Sequence, residues 1–148
     1  MSKKSRRLKN LTKWICETIW QIVFIKEWTM EFIVIGGDAA GMSAASRAKR
    51  RMPDIDVTVF EMTLDVSYSA WGIPYNIADP RRGIADLIVR KADVFREKQG
   101  INLLTGHCVE SIEPARHMVR GKTREGKDFE ATYDKLLIAT GASAIIPD

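Results

Sequence analysis

The chain has 148 residues, of which 45% are hydrophobic and 28% charged, a balance that fits one ordinary globular domain and excludes a disordered or fibrous chain. Its net charge of +4 is unevenly placed: Lys3, Lys4, Arg6, Arg7, Lys9, Lys13 and Lys26 stand against Glu17 and Glu27, so residues 1–29 carry +5 and the rest carries −1. The basic excess therefore belongs to a leader and, with no recognition motif beside it, gives no support to nucleic-acid binding. Two cysteines, Cys16 and Cys108, and two histidines, His107 and His117, form neither a CxxC pair nor a metal-ligand spacing, and a reducing cytoplasm is the default setting.

Residues 1–29 differ in composition from the rest of the chain. They hold Trp14, Trp20 and Trp28, and an apolar stretch from Leu11 to Trp28 broken by Glu17, Lys26 and Glu27. Its longest apolar run, Ile22–Ile25, is far short of the ~20 residues that a membrane span needs. No small-residue cleavage site comes after it, which argues against a signal peptide. Two readings stand: a basic, tryptophan-bearing helix lying on an anionic membrane surface, or an upstream extension from a misassigned start, with Met30 as the natural beginning. We favour the second. The expected domains are an extension over 1–29 and a nucleotide-binding unit over 30–148.

From Met30 the elements run in order. Residues 31–35 are a continuous apolar run, Phe32-Ile33-Val34-Ile35 after Glu31, as a strand buried on both faces requires. Gly36-Gly37-Asp38-Ala39-Ala40-Gly41 comes directly after it, and the alanine-rich, basic stretch to Met52 predicts a helix ended by Pro53. Asp56–Phe60 predicts a second strand, closed by Glu61. Strand, glycine turn, helix, strand and acid make the dinucleotide fingerprint. Gly36 permits the tight turn, and the helix amino terminus (Ala39, Ala40) offers N–H groups to a pyrophosphate. Gly41 lets helix and strand approach, and Glu61 can accept from a ribose diol. Asp38 stands where that fingerprint has its middle glycine.

Further along, Lys91–Gln99 predicts a helix stopped by Gly100. Ile101–Leu104, Cys108–Ile112, His117–Arg120 and Phe129–Tyr133 read as strands with polar turns between them. Leu136–Gly141 reads as a buried strand ending in small residues. Cys108, a lone cysteine in a strand, reads as a small buried hydrophobe.

The segments VIGGDAAGMSAASRAKR (34–50), FE (60–61), SYSAWGIPYNI (67–77) and YDKLLIATGA (133–142) occur in this order. Together they resemble the coenzyme A-disulfide reductase and NADH oxidase branch of the pyridine nucleotide–disulfide oxidoreductases, from about Met30 to the end of the chain. The resemblance implies an α/β, Rossmann-like FAD-binding three-layer fold, incomplete in this chain, with the four strands from Ile101 to Tyr133 as its β-meander. It implies FAD held by Gly36, Gly37, Ala39, Ala40, Gly41 and Glu61, by the Val109 main chain, and by a second signature at Ala139-Thr140-Gly141. Full-length relatives add an NAD(P)H domain and a carboxyl-terminal dimer domain, so a homodimer using NAD(P)H is expected of the whole protein. The chain itself is read as an amino-terminal fragment that retains FAD weakly and does not oxidise NADH. The alternative is a truncated nucleotide-binding fragment without turnover.

The resemblance bears on two further positions. Trp71 occupies the place of the family's redox cysteine, before Gly72-Ile73-Pro74-Tyr75, and an indole supports no thiol chemistry. Three readings are open: Trp71 caps the flavin face, it marks an inactive remnant, or it is a coding artefact for cysteine or selenocysteine. No catalytic residue is therefore assigned. Ser43, Arg47 and Arg50 share one helix face by their spacing and, with Ser67 and Lys98, match positions that hold coenzyme A in the reductase branch. Against this, basic residues near a helix carboxyl end are favourable with no ligand at all. The expected partner is a small molecule, coenzyme A or its disulfide, with no nucleic acid, no membrane and no metal.

Overall fold

The computed structural model describes residues 29–79 and 81–142. The leader with its two readings, residues 1–28, lies outside them. A parallel sheet forms the middle layer, with strand order β3-β2-β1-β7: β1 is Glu31–Ile35, β2 Asp56–Glu61, β3 Asn102–Thr105 and β7 Lys135–Ile138. An antiparallel meander, β4 (His107–Glu113), β5 (Met118–Thr123) and β6 (Asp128–Thr132), covers one face. Helices α1 (Ala39–Arg51) and α3 (Ala92–Gln99) cover the other. The short helix α2 (Ile73–Ala78) lies between them in sequence. This is the three-layer Rossmann-like architecture that the motifs imply.

The continuous apolar run of β1 is explained by its two neighbours. Val34 faces the helices with Met42, Ala45, Val57, Val59, Phe95 and Leu103. Ile33 and Ile35 face the meander with Phe60 and Val119. Val34 and Val59 are fully buried, each worth about 1.5–3 kcal/mol over an exposed side chain. On the meander side, Phe60 stacks on Phe129 with ring centroids 4.8 Å apart, which ties β2 to β6 through the layer.

Helix α1 ends with Lys49, Arg50 and Arg51 in its last turn, where cations suit the helix dipole. Met52 closes it, one residue before Pro53, as the sequence predicts. Gly100 closes α3 in the left-handed conformation, φ 62°.

Four expectations need correction. The run at 101–104 is not part of the meander: β3 pairs parallel with β2, Val59 opposite Leu103. A short apolar strand after a helix carries no mark of its sheet, and here Ile101 and Leu103 point to the helix-side core. The strand expected from His117 begins at Met118, because His117 sits at φ 49° at the end of a one-turn 3-10 helix, Pro114–Arg116. The expected buried strand at 136–141 ends at Ile138, with one further bond to β1 from the Ala139 N–H. It is half-exposed because β7 has β1 as its one neighbour among the described residues. Cys108 is exposed rather than buried; Val109 and Ile112 are the residues of β4 that pack on the core.

Candidate nucleotide crevice

The tips of β1, β2 and β7 and the start of β4 surround a crevice of about 540 Å³, a size suited to a small ligand. It opens at the carboxyl ends of the parallel strands, where such sheets place their ligands. Of the residues singled out in the sequence, Gly36, Glu61, Val109, Ala139, Thr140 and Gly141 line it together. They come from four strands or their ends and span more than a hundred residues of chain.

Close approach explains the glycines. A Cβ on Gly36, which sits at φ 107°, would run into the Ala139 carbonyl. A Cβ on Gly41 would run into the Gly36 carbonyl. The first steric conflict would separate β1 from β7, and the second would lift α1 off the turn. Hydrogen bonds from the Gly36 N–H to the Phe60 carbonyl and from the Ala139 N–H to the Ile35 carbonyl, both 2.8 Å, hold the three strand tips in register.

Glu61 is fixed at the end of β2. Its Oε2 accepts from the Gly37 N–H at 2.6 Å. Its Oε1 accepts from the Thr63 N–H and the Thr63 hydroxyl, both at 2.8 Å. The side chain thus clamps the glycine turn to the loop after β2, and Oε2 keeps acceptor capacity for a further donor. The Gly37 carbonyl accepts from the Ser67 N–H at 3.0 Å, which ties the turn to the next loop. Helix α1 starts with the Met42 N–H bonded to the Asp38 carbonyl at 2.9 Å. The Asp38 side chain makes no capping bond, so it does not compete for the first-turn N–H groups.

The remaining predicted residues fall elsewhere. Gly37, Ala39, Ala40 and Gly41 form the turn and first helical turn behind the lining. Ser43, Arg47 and Arg50 are all exposed on α1, and Lys98 is exposed on α3. Ser67 lies in the loop after β2 at φ 54°. These five do not line the crevice. Trp71 is 91% exposed in a 3-10 turn, Ala70–Gly72, and is also outside the crevice.

Several lining residues are absent from the sequence-based expectation: Thr63, Asp65, Tyr68, His107 and the exposed Cys108. The signal for Thr63 was available, since an acid and a threonine two residues later can bond within their own loop. His107 is held by Nδ1 against the Thr105 carbonyl at 2.9 Å and tilts against Phe60 and Phe129; nothing local in the sequence marks that packing. Among the described residues no cluster of three or more His, Cys, Asp or Glu is arranged to hold a metal. None of the described helices is long and apolar enough to cross a membrane.

A crevice at the carboxyl ends of parallel strands, with a glycine turn and an acid at its rim, is a nucleotide-site geometry, and comparison with known proteins decides the family. The family model described as pyridine nucleotide-disulphide oxidoreductase matches residues 30–148. The chain belongs to the pyridine nucleotide-disulphide oxidoreductase family. A coenzyme A disulfide reductase from Staphylococcus haemolyticus is 36% identical over 115 residues, covering 77% of this chain and 26% of the relative. An NADH oxidase from Methanocaldococcus jannaschii is 30% identical over 118 residues, covering 80% of this chain and 26% of the relative. Among solved structures, an NAD-dependent persulfide reductase from A. fulgidus superimposes with a TM-score of 0.75 at 34% identity, over 80% of this chain and 22% of that one. The chain thus spans about a quarter of the length of the curated relatives it matches.

Proposed function

We propose that residues 30–142 hold the ADP half of FAD, and that the whole protein is an NAD(P)H-dependent oxidoreductase of the coenzyme A-disulfide reductase or NADH oxidase kind. The observation that carries this is the convergence of Gly36, Glu61, Val109 and Ala139-Thr140-Gly141 on one crevice. The residues suit the group. Small side chains let main chain approach it, the first turn of α1 supplies N–H groups at the positive end of a helix dipole, and Glu61 Oε2 can still accept from a ribose hydroxyl. Val109 and Ile35 supply apolar walls.

A flavin bound here would supply hydride acceptance and release; the chain's part is to bind and orient its nucleotide end. Glu61 keeps the glycine turn in place through Gly37, and the packed strand tips keep β7 against β1. In this reading coenzyme A or its disulfide is the substrate, with Ser43, Arg47, Arg50, Ser67 and Lys98 as its candidate contacts. The working protein is a cytoplasmic homodimer, and the unit over 30–148 comes after an extension of 1–29.

A second reading is favoured by one residue. Trp71 stands where the family carries its redox cysteine, and a protein without that thiol binds nucleotide without reducing disulfides. Turnover of coenzyme A disulfide by the full-length protein, with Trp71 confirmed by peptide mass, would rule this second reading out.

Cys108 offers a direct test of the site, because it is exposed and lines the crevice. Saturating FAD or ADP-ribose is expected to slow alkylation of Cys108 by iodoacetamide at least several-fold, as read by peptide mapping. An unchanged alkylation rate at saturating ligand would remove the crevice from consideration.

A further inference from the structure

The crevice lining contains three carboxylates, Asp38, Glu61 and Asp65, and among the described residues neither lysine nor arginine. Glu61 is already engaged by the Gly37 and Thr63 N–H groups and the Thr63 hydroxyl. Asp38 is different: it occupies the N-cap of α1 and makes no capping bond. The turn that offers N–H groups to an anion therefore also bears a carboxylate, on a residue that lines the crevice.

The two features oppose each other. A helix amino terminus contributes about half a positive charge, and an ionised Asp38 contributes a whole negative one. A weakly charged anion is tolerated there, and a highly charged one is repelled. The pyrophosphate of a dinucleotide is a diester with one negative charge on each phosphate. A nucleoside diphosphate bears a further charge on its free terminal phosphate, and a triphosphate bears more.

Resting on the reading that this crevice holds an ADP moiety, we infer that it selects ligands by charge at the pyrophosphate end. It takes a diester dinucleotide and rejects nucleosides with a free terminal phosphate, and Asp38 is the specificity-determining residue. The position that departs from the dinucleotide fingerprint thereby acquires a role: it keeps the abundant nucleoside polyphosphates out of a site built for a dinucleotide.

The test is calorimetric titration of the full chain at low ionic strength, with EDTA present, using ADP-ribose, ADP and ATP. Affinity is expected to fall in that order, roughly three- to ten-fold per added charge for unit charges a few ångströms apart at a partly solvated site. Asp38→Asn keeps a good N-cap residue and is expected to tighten ATP most and ADP-ribose least. The Asp38→Asn arm separates repulsion from any contact that ADP-ribose makes through its second ribose. Added salt is expected to narrow the gap in the unsubstituted chain. Equal or tighter binding of ATP in the unsubstituted chain, or a gap unchanged in Asp38→Asn, overturns the inference and leaves the nucleotide site standing. Failure of all three probes to bind overturns both.

Discussion

The crevice end of the sheet and the excursion between Val66 and Lys91 are neighbours in sequence, yet they are built in opposite ways. Around the crevice, β1 and β2 are buried on both faces, and the glycine turn has no room for a Cβ. In the excursion only Val66 and Leu87 are buried among the described residues. Its base is closed by the Ser69 N–H to the Leu87 carbonyl at 2.7 Å and the Val89 N–H to the Ser67 carbonyl at 3.0 Å. Beyond that base it shows Trp71, Tyr75, Ile77 and Ile84 to solvent. The same chain thus holds one region where side-chain size is dictated by contact and one where these residues touch little. The difference separates what the fold demands from what it merely carries.

Substitutions should reproduce that contrast. Gly41→Ala is expected to have the largest effect, since its methyl has no space beside the Gly36 carbonyl. It should cost about 3 kcal/mol and abolish ADP-ribose binding, read from urea unfolding and calorimetry. A smaller effect is expected from Glu61→Gln, which weakens the charge-assisted bond to the Gly37 N–H. About 1 kcal/mol of stability should go, together with a clear loss of nucleotide affinity. Trp71→Ala should shift unfolding by less than about 0.5 kcal/mol. A large loss there would show that the excursion is packed against something, and would erase the contrast.

The smallest effect concerns acid. The Arg81 side chain, and then its backbone N–H, hold the Asp79 carboxyl below its ordinary value. A carboxyl depressed in the folded state adds stability above its unfolded pKa and loses it as pH falls through the folded one. Because Arg81 is exposed and Asp79 only partly covered, solvent screens the pair, and Arg81→Ala is expected to leave the acid unfolding midpoint unchanged within error. A measurable shift would mean that the excursion is tied down more firmly than its burial indicates.

Much of the first region was legible from residues alone. A doubly buried strand has to read as an unbroken apolar run, and a turn that packs main chain on main chain has to be glycine. Both constraints leave marks in sequence, so β1, the turn, α1, β2 and Glu61 could be placed beforehand. Other features leave no such mark. Nothing in Asn102–Thr105 distinguishes a strand of the parallel sheet from one of the meander; only its pairing with β2 does so. Helix α2 is six residues long, carries Pro74 near its start and buries nothing, so neither length nor periodicity announces it. The exposure of Cys108 depends on which side of β4 meets Phe129 and Ala131, residues 21 and 23 positions away. Thr63 and Tyr68 reach the crevice through loop geometry and His107 through the start of β4, neither of which short-range patterns encode.

The pairing of β1 with β7 has a consequence for how the protein comes into being. Glu31 and Asp134 are hydrogen-bonded across 103 positions of sequence, and the wall formed by Ala139-Thr140-Gly141 lies beyond even that. Contacts of such separation are slow to close. During synthesis the glycine turn leaves the ribosome long before its opposite wall exists. A nascent chain halted short of residue 139 should be unable to capture nucleotide, and acquisition of binding as the chain lengthens would report the moment when β7 docks.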